Sequence, residues 1–265
     1  MGTRLTEKVA IVTGGGRGIG KAIAKAFISE GATVVIAATN LSKLEETVKE
    51  FGAMGGRAKA IQTDVANEQQ VIRLVSETLQ TFNRIDILVN NSGIAGPSCY
   101  VVDLKLEDWN KVLAIDLTGY MLCAREVLKH MIPRKSGIII NIGAEGGRTG
   151  DGRSGYPMRS PYCCAKMGVI GLTETLSQEV GPYNIRVNCI SAAGVRGERS
   201  DSVVAAKAKA KGITFAEALK ESVAKCSLGR RTEEYELGNC AVFLASDESS
   251  AITGQTIVNH CGQHL

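Results

Sequence analysis

Short runs of β-branched residues alternate along this chain with longer segments in which apolar residues recur at intervals of three and four. The runs fall at 9–12, 33–36, 58–61, 85–89, 138–142, 185–190 and 256–258, and each predicts a strand. Between them, 19–29, 41–54, 71–82, 109–131 and 169–180 carry the spacing of helices with one apolar face. Strand, helix, strand in this repetition predicts right-handed crossovers and a parallel sheet covered by helices on both faces. The strands are apolar almost throughout, as strands buried on both sides must be. The expected fold class is α/β, one doubly wound parallel sheet of seven strands, with residues 1–265 forming one domain. The alternation breaks at about 195–231, where an Ala/Lys-rich helix is expected at 205–225. An insertion at that place beside the sheet predicts a substrate lid.

Composition narrows the classes of function. With 265 residues, 44% of them hydrophobic, the chain can bury roughly three quarters of its unfolded surface and needs neither metal nor disulfide to fold. The formal net charge is +4, and the lysine-rich stretch at 207–211 alternates with alanine as a solvated helix face does. No basic or aromatic stripe points to nucleic acid. The eight cysteines lie mostly inside apolar segments without a CxxC pair, which predicts reduced thiols in a cytoplasmic protein. His130, His260 and His264 lack metal-ligand spacing, so no metal centre is expected. No apolar stretch approaches the ~20 residues that cross a bilayer, and no membrane association is expected.

Directly after the first strand comes Thr13-Gly14-Gly15-Gly16-Arg17-Gly18-Ile19-Gly20, and a helix follows. Glycines let backbone turn sharply and approach a pyrophosphate, whose charge then rests on the free N–H groups of the next helix. Gly14, Gly16, Arg17, Gly18, Ile19 and Gly20 are therefore candidate cofactor-binding residues. An acidic side chain ending the second strand would hold a ribose 2′-hydroxyl and repel a 2′-phosphate. Ala38, Thr39 and Asn40 stand there instead, and Arg17 supplies positive charge. NADP(H) is favoured over NAD(H), with Thr39 and Asn40 as neutral partners. Asp64 and Val65, after the third strand, are spaced to meet an adenine; Asp64 also fits an ordinary helix cap.

These residues, with Asn90-Asn91-Ser92-Gly93, Tyr162-Cys-Cys-Ala-Lys166, Asn188 and Gly194, stand in the order of the short-chain dehydrogenase/reductase family, which the chain resembles over nearly its whole length. The resemblance implies a Rossmann-type fold, hydride exchange between a nicotinamide and an alcohol or carbonyl, and commonly a homotetramer. It adds Asn91, Ser92, Gly93, Gly194 and Val195 to the cofactor-binding residues. The Tyr/Lys pair has its own chemistry. Four residues apart on a helix, the two side chains share a face, and a nearby ammonium favours phenolate in a general acid/base for an alcohol proton. Tyr162 and Lys166 are thus expected to be catalytic, and Lys166 also to hold the nicotinamide ribose.

Two positions depart from the family pattern. Asp116 stands where the family usually has an asparagine that helps a water bridge the lysine to solvent; as an anion it would strengthen the ammonium and weaken its effect on the tyrosine, shifting the pH optimum. The family's Asn-Ile-Ser-Ser after the fifth strand is here Asn141-Ile142-Gly143-Ala144, without a hydroxyl to polarise the substrate carbonyl. Ala144 lies eighteen residues before Tyr162, so the loop is lengthened. The family's shorter spacing, counted back from Tyr162, lands on Thr149, which ranks first as the replacement donor, ahead of Ser154 and Ser160. If no donor replaces the serine, the chain is a cofactor-binding sensor or structural homologue with weak or no turnover.

Between 146 and 166 four basic residues, Arg148, Arg153, Arg159 and Lys166, face one acid, Asp151. Arg196 and Arg199 stand on the expected opposite wall. Guanidinium groups grip carboxylate or phosphate in pairs of hydrogen bonds, which makes Arg153, Arg159 and Arg196 candidate binders of an anionic hydroxy- or keto-compound. Pairing of the same arginines with Glu145, Asp151 or Glu198, or across subunits, accounts for them equally well.

Overall fold

A computed structural model of the chain describes residues 3–144 and 155–263. Seven parallel strands form one sheet: β1 (Val9–Thr13), β2 (Thr33–Ala38), β3 (Arg57–Gln62), β4 (Ile87–Asn90), β5 (Gly137–Ala144), β6 (Ile185–Ala192) and β7 (Thr256–Asn259). Their order in space is β3-β2-β1-β4-β5-β6-β7. The winding reverses between β1 and β4, and beyond the carboxyl ends of the strands at such a point lies the crevice of a doubly wound sheet.

The helices are α1 (Gly18–Ser29), α2 (Leu41–Ala53), α3 (Glu68–Phe82), α4 (Leu106–Leu113), α5 (Gly119–Arg134), α6 (Ser160–Val180), α7 (Glu198–Lys211), α8 (Phe215–Val223) and α9 (Glu234–Ala245). Alternate strand residues serve opposite faces, as the two-residue period of a strand requires. Val12, Ile36, Val89 and Ile142 pack with Phe27 of α1, Phe51 of α2 and Val242 of α9. On the other face Ile11, Val35, Leu88 and Ile139 meet Leu74 of α3 and Val127 of α5.

The helical pattern expected at 109–131 proves longer and interrupted. A π-helical segment, Ala114–Thr118, joins α4 to α5, and such bulges aim side chains differently from a regular turn. The single helix expected at 205–225 is two. Gly212, at φ +66°, ends α7, and Thr214 restarts the chain as α8 through a reciprocal capping box with Glu217. These helices pack together through Val204, Ala208 and Ala218, apart from the main cores. The crossover helix α9 escapes the periodicity because Leu237, Gly238, Ala241, Val242, Leu244 and Ala245 are all buried, leaving little apolar–polar contrast. Its start carries a readable signal, the Glu233/Glu236 capping box.

Candidate active site

The glycine loop crosses from β1 to α1 over the switch point. Gly14 takes φ +67° and donates its N–H to the Ala37 carbonyl at 2.6 Å. The segment after β4 is bolted to this loop. Thr13 Oγ1 accepts from the N–H groups of Asn91 (2.9 Å) and Ser92 (3.1 Å), and Asn91 Nδ2 donates to the Thr13 carbonyl at 2.9 Å. A Cβ on Gly20 would run into the Gly14 carbonyl oxygen and Asn91 Nδ2. Gly20→Ala is therefore expected to weaken dinucleotide binding at least tenfold and to destabilise the fold by about 1–3 kcal/mol, the usual range for overpacking. Calorimetric nucleotide titration and urea unfolding measure the two effects, and wild-type values for both would contradict this account of the loop.

On the other side of the crevice, α6 carries Tyr162 and Lys166. Lys166 is buried, 5% exposed. Its Nζ donates to Tyr120 Oη (3.2 Å) and to the Ile142 carbonyl (3.1 Å), and lies 3.5 Å from Asp116 Oδ2. The same ammonium stands 5.9 Å from the Tyr162 ring centre and 5.0 Å from that of Tyr120. Asp116 sits in the π-helical segment with no solvent exposure, and its Oδ1 accepts from the Ile94 N–H at 2.8 Å. A buried polar ladder ties this cluster to the sheet: Asn90 Nδ2 donates to Asn141 Oδ1 (3.0 Å) and Asn141 Nδ2 to Thr173 Oγ1 (2.9 Å). Cys189 lies nearby on β6, and burial pushes its thiol up to about 11, so it stays neutral.

The short chain dehydrogenase family pattern matches residues 8–208. A 3-oxoacyl-[acyl-carrier-protein] reductase of Synechocystis is 38% identical over 256 residues, 96% of either chain. Among solved structures, NAD+-bound xylitol dehydrogenase superposes with a TM-score of 0.91 at 29% identity, covering 98% of this chain and all of that one. An actinorhodin polyketide ketoreductase with NADPH gives 0.91 at 29%, with both chains fully covered. The chain belongs to the short-chain dehydrogenases.

It is thus an oxidoreductase of a family that binds NAD(P)(H), and the glycine loop fits such a dinucleotide. The N-terminus of α1 has no side-chain cap and no acidic residue in its first turn, whereas Asn40 caps α2 and Asn67 caps α3. An anion is the acceptor that uncapped N–H groups call for. Asp64 is not the cap of α3; its Oδ1 accepts from the Ala66 N–H at 3.0 Å, while the Val65 side chain is buried. Thr39 and Asn40 follow β2 without a carboxylate, but Asn40 Oδ1 accepts from the Lys43 N–H. Arg17 projects into solvent, 81% exposed, in loose contact with Glu198 at 3.8 Å. Gly194, at φ +57°, and Val195, which bridges to Thr232, line the far side beyond β6.

Strand β5 ends on Gly143 and Ala144, which carry no side-chain hydroxyl. Thr149, Ser154, Arg148 and Arg153 lie outside the described residues, as does the side chain of Arg199. Ser160 Oγ is buried, with no hydrogen-bond partner among the described residues, but at two residues from Tyr162 it lies nearly opposite on the helix. Arg159 uses Nη1 on the carbonyls of Ala95 (3.0 Å) and Gly96 (3.4 Å), and Arg196 pairs with Glu233 at 3.3 Å. Tyr120 belongs to no motif, yet it follows Asp116 by four residues, the spacing that puts two helical side chains on one face.

Proposed function

We propose that the protein interconverts a carbonyl and a secondary alcohol with NADP(H), Tyr162 serving as the general acid and base. The observation that carries this reading is that Lys166 Nζ lies 5.9 Å from the Tyr162 ring centre on α6 and meets, through Asp116, the Gly93–Ile94 segment that follows β4. When bound, the nicotinamide supplies or accepts the hydride. Tyr162 gives its proton to the carbonyl oxygen or takes it from the alcohol. Lys166, through its charge, stabilises the phenolate left behind and orients the ribose. Gly14, Gly16, Gly18, Ile19 and Gly20 hold the pyrophosphate, with Asp64 and Val65 at the adenine and Gly194 and Val195 at the nicotinamide. The preference for NADP(H) rests on exposed Arg17 and on Ala38, Thr39 and Asn40, which present no acid to a 2′-phosphate.

Thr149 is proposed as the donor to the substrate carbonyl, and helices α7 and α8 as the cover, since Glu198 at the start of α7 reaches toward Arg17. The substrate is proposed to be anionic, with Arg153, Arg159 and Arg196 toward its charge. Relatives whose names specify 3-oxoacyl-[acyl-carrier-protein] and a succinyl-CoA derivative support a carbonyl or alcohol near an acyl group. Mixing the protein with NADPH or NADH and a panel of keto-acids, their neutral esters and simple ketones tests the whole reading. The expected result is faster NADPH consumption with keto-acids, and an acid-to-ester rate ratio that falls in Arg159→Ala. Binding without consumption across the panel would favour a sensor, and an unchanged ratio would remove the anionic preference.

A further inference from the structure

Lys166 is enclosed on its inner side by groups that only partly belong to the proposed proton transfer. Three acceptors surround its ammonium: the Asp116 carboxylate, the Tyr120 hydroxyl and the Ile142 carbonyl, at 3.5, 3.2 and 3.1 Å. Two of these are hydrogen bonds and the carboxylate is an ion-pair contact, so the ammonium is held from inside the protein. Tyr120 Oη itself donates to the Ile142 carbonyl at 3.1 Å and is 1% exposed, which fixes the hydroxyl. Asp116 is fixed as well, by the Ile94 N–H and by close contact with the Gly93 backbone, where a Cβ would come within 2.7 Å of Oδ2.

We propose that Asp116 is a positioning residue that holds Lys166 inward and offsets its charge, so that Tyr162 stays protonated at neutral pH and the site is set to donate a proton, favouring carbonyl reduction. This rests on the proposed function and deepens it. A carboxylate beside an ammonium favours the charged form of each. Seen from Tyr162, the pair is then closer to neutral than Lys166 alone, and the phenolate gains less from it. Titratable groups facing the ammonium include Asp116 from the π-helical segment, Tyr120 from α5, Tyr162 from α6 and Cys189 from β6. Cys189 is a neutral thiol over the working range, so Asp116 is the only anion in this set.

The test is a titration of the Tyr162 phenolate in cofactor-free protein, read as the ultraviolet difference between each background and the same background carrying Tyr162→Phe. Asn keeps the volume of Asp and can still accept from the Ile94 N–H, so Asp116→Asn removes chiefly the charge. Phenolate formation in Asp116→Asn is expected about one pH unit lower than in wild type, the scale on which one charge within several ångströms acts. The low-pH limb of alcohol oxidation, which rises as the phenolate forms, should move with it. Tyr120→Phe, which removes the hydroxyl but leaves the carboxylate, should leave the limb in place or move it to higher pH. An unchanged phenolate titration in Asp116→Asn overturns the proposal, as does a move to lower pH in Tyr120→Phe. Should Tyr162→Phe prove fully active, the proton-transfer role of Tyr162 fails instead, while the spectral titration still reports whether Asp116 controls that phenol.

Discussion

Tyr162→Phe is expected to lower turnover by about 10²–10⁴-fold, the contribution of a positioned general acid/base, while nucleotide affinity falls much less. The two effects separate because the proposed dinucleotide site is spread over the glycine loop and the Asn91 junction, whereas the proposed proton transfer rests on the phenol. The cradle around Lys166 sharpens the expectation. Its ammonium lies 5.9 Å from the Tyr162 ring centre and is anchored independently of the Tyr162 hydroxyl by Tyr120 and the Ile142 carbonyl. Losing that hydroxyl should therefore leave Lys166 and the surrounding wall in place. Steady-state rates with the best keto-substrate, set beside fluorescence titration of NADPH, measure both quantities. Turnover at the wild-type rate would remove Tyr162 from the chemistry, and a parallel collapse of nucleotide binding would make its contribution structural.

Much of this architecture is legible because it depends on local chemistry. Each strand is a short apolar run, and the glycine loop announces itself by lying between a strand and a helix. What escapes is contact between distant segments. Asp116 stands out in the sequence as an unusual residue, but its 3.5 Å approach to Lys166 joins positions fifty apart. Tyr120 is silent for the same reason: an apolar-looking helical residue acquires its partner only when α6 packs beside it. Arg159 stands out in the sequence as a cation, but the Ala95 and Gly96 carbonyls that accept from its Nη1 belong to another loop and leave no mark beside it. The π-helical segment has no compositional mark at all. It arises inside a continuous helical pattern and places Asp116 on the inner side.

The second large effect lies at the opposite end of the sheet, at a residue outside any motif. Asp86 leads into β4 and is 4% exposed. Its Oδ2 accepts from the Val9 N–H (2.9 Å) and Arg84 Nε (2.8 Å), and its Oδ1 from Arg84 Nη2 (2.9 Å) and Arg134 Nη2 (2.7 Å). One carboxylate therefore ties the start of β1 to the end of α5. Burial works against its charge, but the two arginines and the Val9 N–H prevail and hold it below the ordinary carboxylate value. Asp86→Ala is expected to cost about 3 kcal/mol, the low end for breaking a buried ion pair, because Arg84 and Arg134 are themselves 40% and 34% exposed and can return to water. The pH dependence follows from the sign of the shift. Since the folded value lies below the unfolded one, about 3.9 for Asp, the stabilisation is complete above that value and is lost as pH falls through the folded value. Urea unfolding of wild type and variant should show the full difference at pH 7 and a shrinking one below about pH 4, where the unfolded carboxylate begins to take up its proton. A difference that stays constant through the acid range would assign the loss to packing rather than to the charge. Asp86→Asn discriminates further: its amide oxygen can still accept from the Val9 N–H, so it should recover part of the stability at pH 7 and show little of the acid dependence.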